Sequence, residues 1–493
     1  MTVVEWSPHA LQVVAFLNSP HDSADKVQNP ADGPRRPRSR WPGRWPLLLV
    51  LLLGDGGVPA RAQFGLPSLP GPELPSFEPP LGMDRRLERA PQSARAPSRD
   101  LRTRRIRELL RQHGDRIEVD AAGEPFVRSQ VLAIWPSTAL LVAARGAGFS
   151  VLRERSLAGL DMRIAVLRAP IGTPTVRALQ RLRELDPAGV FDLNHVYMES
   201  GESVGARVDV PPVAPLPGHG ASTAAAPDGL AGGRIGLIDG GVDAGAAVLR
   251  RAQIHPWGCQ GPSPASPHGT AVASLMVGEG DGFRSAAPGL ALYAADVYCG
   301  AATGGAVDAI AGALDWLAEQ RVAVINISLV GPQNHLLGRL VERMLARGHL
   351  IVAAVGNDGP AAPPLYPAAY PGVIGVTGVD ARRRVLPEAG RGQQVAFAAP
   401  GADLLAAGTG GYAIVRGTSF AAPLVAGLLA GHLARRAPAA GAQAIEWLRA
   451  EATDLGAPGP DGVFGNGLVG ERLRVDPARL LSRRQIDRLQ RGR

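Results

Sequence analysis

Between residues 229 and 480, short apolar runs rich in valine and isoleucine recur with helix-like segments between several of them, and this alternation limits the fold more than any other property of the chain. The runs are RIGLID, LYAADVY, VAVINISL, LIVAAVGN and VIGVTGV, and AVDAIAGALDWLAEQ is one of the intervening segments. Strands that are apolar on both sides of the pleat need cover on both faces, which crossover helices supply to a parallel sheet. The expected fold class is α/β, a doubly wound, mainly parallel sheet with helices on both faces. Ligand sites in such sheets form at the carboxyl ends of strands, and Asp239 and Asn357 each close one of the runs.

The flanks read differently. Residues 115–200 carry the shorter stretches VLAIW, ALLVAARGAGF, MRIAVLRAP and TVRALQRLREL, the pattern of a small α+β domain. Residues 63–114 are a Pro- and Arg-rich linker, Arg-dense from residue 84 and helical near its end. A second linker, rich in Pro and Ala, fills 201–228, and a basic tail follows at 481–493. Residues 1–62 read as a leader, with a basic stretch, an apolar run from Leu47 to Leu53, and small residues at Ala60 and Ala62. This is the pattern of a secretory signal cleaved after Ala62. The run falls far short of the ~20 residues that cross a bilayer, so no stable membrane anchor is expected. About 45 residues precede it, which a true translation start near residue 35 would explain. The expected location is secreted or periplasmic.

A length of 493 residues allows two or three domains, and 45% apolar residues excludes a disordered or collagen-like chain. The net charge is +8, yet residues 229–480 hold 19 Arg against 19 Asp plus Glu, so the excess lies in the flanks. That balance argues against a nucleic-acid-binding core, and the Arg-rich runs at 35–44 and 85–111 read as solvated flanks. The only two cysteines, Cys259 and Cys299, are expected to form one disulfide outside the cytosol, with two buried thiols as the alternative.

Three residues carry chemistry. Asp239 ends the first run in LIDGGVD, His268 opens HGTAVASL, and Ser419 lies in GTSFAAPLVAG just before an apolar helical stretch. Alone, each also fits a bland role: a strand-end turn, a surface helix start, a helix cap. Together they supply an orienting carboxylate, a general base and a nucleophile, the set that acyl transfer requires.

Residues 229–480 resemble the subtilase family of serine proteases. Four motifs carry the resemblance in order, LIDGGVD, HGTAVASL, AAVGNDG and GTSFAAPLVAG, with DLGAPGPDGVFGNGLV as a closing segment. The resemblance implies a subtilisin-like sheet and a triad in which Asp239 orients His268 and His268 takes the proton of Ser419. It implies that Asn357 and the Ser419 amide stabilise the oxyanion. Ser328, Leu329, Val330 and Gly331 would form the edge along which a peptide or protein substrate pairs by its backbone. The stretch TGG at 303–305 fits either the opposite edge or a plain loop. Leu365 would floor the pocket for the side chain before the scissile bond, in a position where many relatives carry glycine, while Val330 replaces a glycine on its rim. The domain at 115–200 would be a propeptide that acts as chaperone and inhibitor, or else a substrate-recruiting domain. Two departures stand out: Gly240 where the family usually has Ser or Thr, and Ala271 where a second histidine is frequent. No cofactor is implied and no metal cluster is evident; structural calcium fits the family, with no residue assigned to it. The expected function is an exported serine endopeptidase that matures by cutting itself within the linker at 201–228. A catalytically silent binding or chaperone module and a processing protease with one target are the alternatives.

Overall fold

A computed structural model describes residues 97–199, 201–204, 231–280, 282–408, 411–435 and 441–477. The expected leader, linker residues 63–96, the segment 205–230 and the tail at 481–493 lie outside the described residues. All described residues belong to one unit, 85–493.

The N-terminal part runs α1 (Pro97–His113), β1 (Ile117–Val119), β2 (Pro125–Ile134), α2 (Thr138–Gly146), β3 (Ser150–Leu157), β4 (Met162–Arg168), α3 (Thr175–Leu185) and β5 (Val190–His195). Strand β2 pairs antiparallel with β1, β4 and β5, and β3 adds to β4. Successive residues of β2 point to opposite faces. Val131 and Ala133 join Leu140, Leu141, Leu179 and Leu182 of α2 and α3 in one core. Leu132 and Ile134 face the other way, into a core shared with the larger domain. This double burial is why VLAI reads as an unbroken apolar run. Helix α1 falls within the span expected to be linker.

Two short strands follow, β6 (Met198–Glu199) and β7 (Glu202–Val204). The larger domain then runs β8 (Ala231–Asp239), β9 (Ile254–Trp257), α4 (Pro267–Val277), the hairpin β10 (Glu279–Gly280) and β11 (Phe283–Arg284), β12 (Ala291–Asp296), α5 (Val307–Glu319), β13 (Val322–Ile327), β14 (Leu329–Val330), α6 (His335–Ala346), β15 (Leu350–Ala354), β16 (Ile374–Val379), β17 (Val395–Pro400), β18 (Leu404–Gly408), β19 (Gly411–Arg416), α7 (Thr418–Arg435) and α8 (Gly441–Glu451). Seven of these strands form a parallel sheet in the order β17-β16-β15-β13-β8-β12-β9. The doubly wound α/β class is the observed one.

Helices cover both faces. Val324 and Val352 pack with α4, α7 and α8, whereas their neighbours Ile325 and Ile351 pack with α5 and α6. The small domain lays its second face, including Ile164 and Val166, on that α5/α6 side. Helix α7 is apolar all round and is buried from Thr418 to Leu433 apart from Leu428, as such a helix must be. Strand β8 sits where the strand order reverses, between β12 and β13, so Asp239 at its carboxyl end opens onto the crevice that such a reversal creates.

Candidate active site

Asp239 is fully buried and His268 nearly so. The Asp239 carboxylate accepts the Gly240 backbone N–H at 2.7 Å and lies 2.9 and 3.1 Å from His268 Nδ1. A carboxylate can only accept, so Nδ1 carries the proton and Nε2 the basic lone pair. His268 is held by its helix start. Ser266 caps α4 by accepting the N–H groups of His268 and Gly269 at 3.2 Å each, and Pro267 occupies the first helical position, where no N–H is needed. Gly269 is required by close approach, because a Cβ there would fall 2.3 Å from the Gly240 carbonyl oxygen. The imidazole rests against Phe420, ring centres 5.2 Å apart, which brings it to the start of α7.

Ser419 is the second residue of α7. Thr418 pins this start to the loop after β15: its N–H donates to Asn357 Oδ1 at 3.1 Å, and its Oγ1 accepts the Gly356 N–H at 3.2 Å. The Asn357 carboxamide thus has its oxygen fixed on α7, which sets the direction of its donating Nδ2 end. The Ser419 hydroxyl donates to the Ser328 carbonyl at 3.2 Å. Pro423 lies four residues beyond Ser419 and has no N–H to close the helical bond to the Ser419 carbonyl. The Ser328 hydroxyl donates to that carbonyl instead, at 3.0 Å, and is itself held by Asn326 Nδ2 at 2.8 Å. The four residues separated by up to 180 positions in sequence are therefore gathered at the carboxyl ends of β8 and β15 and the starts of α4 and α7.

Residues 196–199 and 201–204 of the chain itself lie along this site. Met198 and Glu199 pair antiparallel with Val330 and Leu329. On the other side Tyr197 N–H donates to the Gly305 carbonyl at 2.8 Å, and Val196 bridges to Ala306. Beyond Ser419, Ser203 and Glu202 pair with Val415 and Arg416, the end of the strand that leads into Ser419. Tyr197 is fully buried, with its ring over Gly331 and its hydroxyl donating to the Pro332 carbonyl. Arg105 of α1 donates to the carbonyls of Glu199 at 3.2 Å and Gly201 at 3.1 Å, so it spans the segment from outside. The Glu199 carboxylate accepts the Ser266 hydroxyl at 3.0 Å. Burial pushes this carboxyl above its usual range and the nearby Asp239 charge adds to the rise, while His268, the Ser266 bond and Arg105 oppose it.

Leu329 and Val330 form β14, and Gly331 exchanges two backbone hydrogen bonds with Tyr366 at 3.0 Å each. Leu365, one residue earlier, is buried against Gly356, where a Cβ would fall 2.5 Å from Leu365 Cδ1. It therefore lies between the 328–331 edge and Asn357. Cys259 and Cys299 are joined as a disulfide, Cα atoms 5.5 Å apart. Asp296 braces the same place, accepting the amides of Tyr298 and Cys299 at 2.9 Å and the Ser263 hydroxyl at 2.5 Å. Among the described residues, two groups have the spacing of metal ligands, Cys259 with Asp296 and Cys299, and Glu199 with Asp239 and His268. The disulfide accounts for the first spacing, and the hydrogen bonds above for the second. No helix among the described residues is long and apolar enough to cross a membrane.

Sequence reasoning missed Arg105 and the segment 196–199. HVYMES has no strand or helical period, and Arg105 was one arginine among many in its run.

This fold, with a buried Asp–His pair beside a serine at a helix start, defines a class. A family model described as the subtilase family of peptidases matches residues 232–467. The chain is 30% identical over 251 residues to a subtilisin from Bacillus pumilus, covering 48% of this chain and 88% of that protein. It is 34% identical over 206 residues to subtilisin Savinase from Lederbergia lenta, covering 41% of this chain and 75% of that one. The chain belongs to the subtilase family. It also matches the minor extracellular protease Epr of Bacillus subtilis at 33% over 207 residues, 41% of this chain but 32% of Epr, so it spans about a third of that relative's length. Among solved structures it resembles fervidolysin from Fervidobacterium pennivorans, described as a keratinolytic enzyme related to subtilisin. The TM-score is 0.56 and the identity 21%, over 72% of this chain and 61% of that one. Of 493 residues, 72% is about 355, more than the 262 from residue 232 to the end, so the likeness of fold extends into the small N-terminal domain.

Proposed function

We propose that the chain is an exported serine endopeptidase that hydrolyses peptide bonds through an acyl-enzyme on Ser419 and matures by cutting itself between Glu199 and Glu202. Asp239 holds His268 with Nδ1–H toward the carboxylate, so Nε2 takes the Ser419 proton as Oγ attacks the substrate carbonyl. Asn357 Nδ2 and the Ser419 N–H then stabilise the oxyanion, and the N-terminal field of α7 favours the same negative charge. His268 passes its proton to the leaving amine, and water completes the hydrolysis. The chemistry needs no cofactor.

The observation that carries this reading is the placement of residues 196–199 and 201–204. They lie extended between the 328–331 edge and Gly305–Ala306, and leave along β19 on the far side of Ser419, as a substrate would. In this reading residues 115–200 are the propeptide, bound as an inhibitor until cleavage, and 229–480 the catalytic domain. The Pro- and Ala-rich sequence of 201–228 is read as the linker between the two. In sequence, the small residues Ser200 and Gly201 join the two paired stretches, which supports a shallow pocket over Leu365 that favours Ala, Val or Leu over Phe, Tyr, Lys or Arg. The signal-like leader and a bridged cysteine pair support export.

Labelling with a serine-directed fluorophosphonate tests the assignment. The modified peptide is expected to contain Ser419, and Ser419→Ala should take up no label. A folded, processed protein that stays unlabelled, or carries label on another serine, would leave the silent-module reading in its place.

A further inference from the structure

Ser266 and Gly240 make a pocket beside His268 that none of the chemistry above uses. The Ser266 hydroxyl has two acceptor lone pairs and one proton. Both acceptor positions are taken by the backbone N–H groups of His268 and Gly269. Its proton therefore points outward into the cleft and requires an acceptor there, and Glu199 Oε1 supplies one at 3.0 Å. Gly240 makes the room. A Cβ at this position would lie 2.6 Å from Ser266 Cβ, 2.8 Å from its Oγ and 3.1 Å from Glu199 Oε1. The family's usual Ser or Thr would thus displace both the donor and its guest.

The register fixes which substrate position this pocket serves. Glu199 pairs with Leu329, and the next residue along the edge, Ser328, is the one whose carbonyl meets Ser419 Oγ. The reacting carbonyl therefore belongs to the residue after the one on the Leu329 register. The side chain beside Ser266 is the penultimate one before the scissile bond.

We propose that Ser266 is a specificity-determining residue, and that the pocket it forms with Gly240 selects substrates whose penultimate residue before the cut ends in an acyl oxygen on a two-carbon spacer, glutamate or glutamine. The inference rests on the proposed catalytic reading, in which Ser419 attacks a peptide lying along the 328–331 edge. Glutamine offers Ser266 the same acceptor as glutamate. Alanine leaves the hydroxyl without a partner, and lysine brings a donor to a donor. One such hydrogen bond gives roughly a five- to tenfold advantage in kcat/KM.

The test uses the processed enzyme and peptides with the sequence of residues 196–203, VYMESGES, in which the Glu199 position is Glu, Gln, Ala or Lys. Glu and Gln are expected to exceed Ala by roughly five- to tenfold, with Lys lowest. Two variants separate recognition from the capping role of Ser266. Ser266→Ala removes cap and donor and should bring Glu and Ala level, whatever it does to the overall rate. Ser266→Asp retains a good cap but offers a charge that repels Glu, so Glu should fall below Ala while Gln falls less. Equal rates for Glu, Gln and Ala in the parent, or a Glu preference that survives Ser266→Asp, overturn the proposal. Fluorophosphonate titration runs alongside: turnover with flat selectivity refutes the pocket alone, and a protein that neither labels nor cuts any of the peptides refutes the catalytic reading and the pocket with it.

Discussion

Asp315 offers a quantitative check on how the small domain sits on the larger one. It lies on the outer side of α5 and meets the turn Ala158–Leu160 of the small domain, where a Cβ on Gly159 would fall 2.7 Å from the Asp315 carbonyl oxygen. Burial lifts the carboxyl from the usual 3.8 to about 6, Glu319 adds like-charge repulsion, and the amides of Leu160 and Gly159 oppose the rise. Because folding raises this pKa, the folded chain binds the proton more tightly than the unfolded chain. The stability that proton provides is complete below about pH 4 and is lost as pH climbs through about 6. A rise of about two pKa units corresponds to ~3 kcal/mol. The group is partly exposed, and screening by solvent reduces the figure to about 1–1.5 kcal/mol. Asp315→Asn, which cannot ionise, should therefore match its parent at pH 4 and exceed it by that amount at pH 8. The assay is urea denaturation from pH 4 to 8 in the Ser419→Ala background, which keeps the two domains joined. Parallel pH profiles for the two proteins, or an Asn variant less stable at pH 8, would refute the reasoning.

The remaining predictions concern the site itself. Asn357→Ala should lower kcat by about 10²–10³ with little change in KM, the size known for the matching donor of subtilisin itself; steady-state kinetics on one peptide decides it. Leu365→Gly should open the pocket before the scissile bond and shift the preference from Ala, Val or Leu toward Phe and Tyr, each misfit methylene counting for about 1–3 kcal/mol in kcat/KM profiles. Replacing Cys259 and Cys299 together by Ala opens a loop spanning 40 residues and should cost about 4 kcal/mol in the chain-entropy model, read by urea denaturation against the parent. A loss below about 1 kcal/mol would mean that the Asp296 hydrogen bonds alone hold these loops.

What could be read from the sequence was whatever is local. Asp239, His268, Asn357 and Ser419 sit in short motifs whose neighbours do local work: Ser266 and Pro267 start a helix, Gly269 allows a close approach, and Pro423 leaves a carbonyl open for Ser328. The sheet was legible because strands such as β15, LIVAA, buried along its whole length, are apolar throughout. The cysteine pair needed only a count of two. The strands β6 and β7 are two and three residues long and too short to carry a period; they exist because the 328–331 edge and β19 offer unpaired backbone to whatever lies along them. Helix α1 was legible as a helix but not as part of the site. Arg102 reaches Glu124 in a bidentate pair at 2.7 and 2.5 Å, and Arg105 reaches carbonyls more than 90 residues away, contacts that leave no mark in an Arg-rich run. That Gly240 stands where the family usually has Ser or Thr was visible in the sequence, but its effect on the site was not. Its backbone N–H donates to Asp239 at 2.7 Å, and its missing side chain leaves the space that Glu199 fills.

The central claim is that Ser419 cuts the segment lying across it. Parent and Ser419→Ala chains, purified unfolded and refolded side by side, can be followed by intact mass and N-terminal sequencing. The parent is expected to release a catalytic fragment whose first residue falls between Ser200 and Glu202, and Ser419→Ala to remain whole. Processing of Ser419→Ala at the same bond, or a parent cut only elsewhere, would contradict the claim.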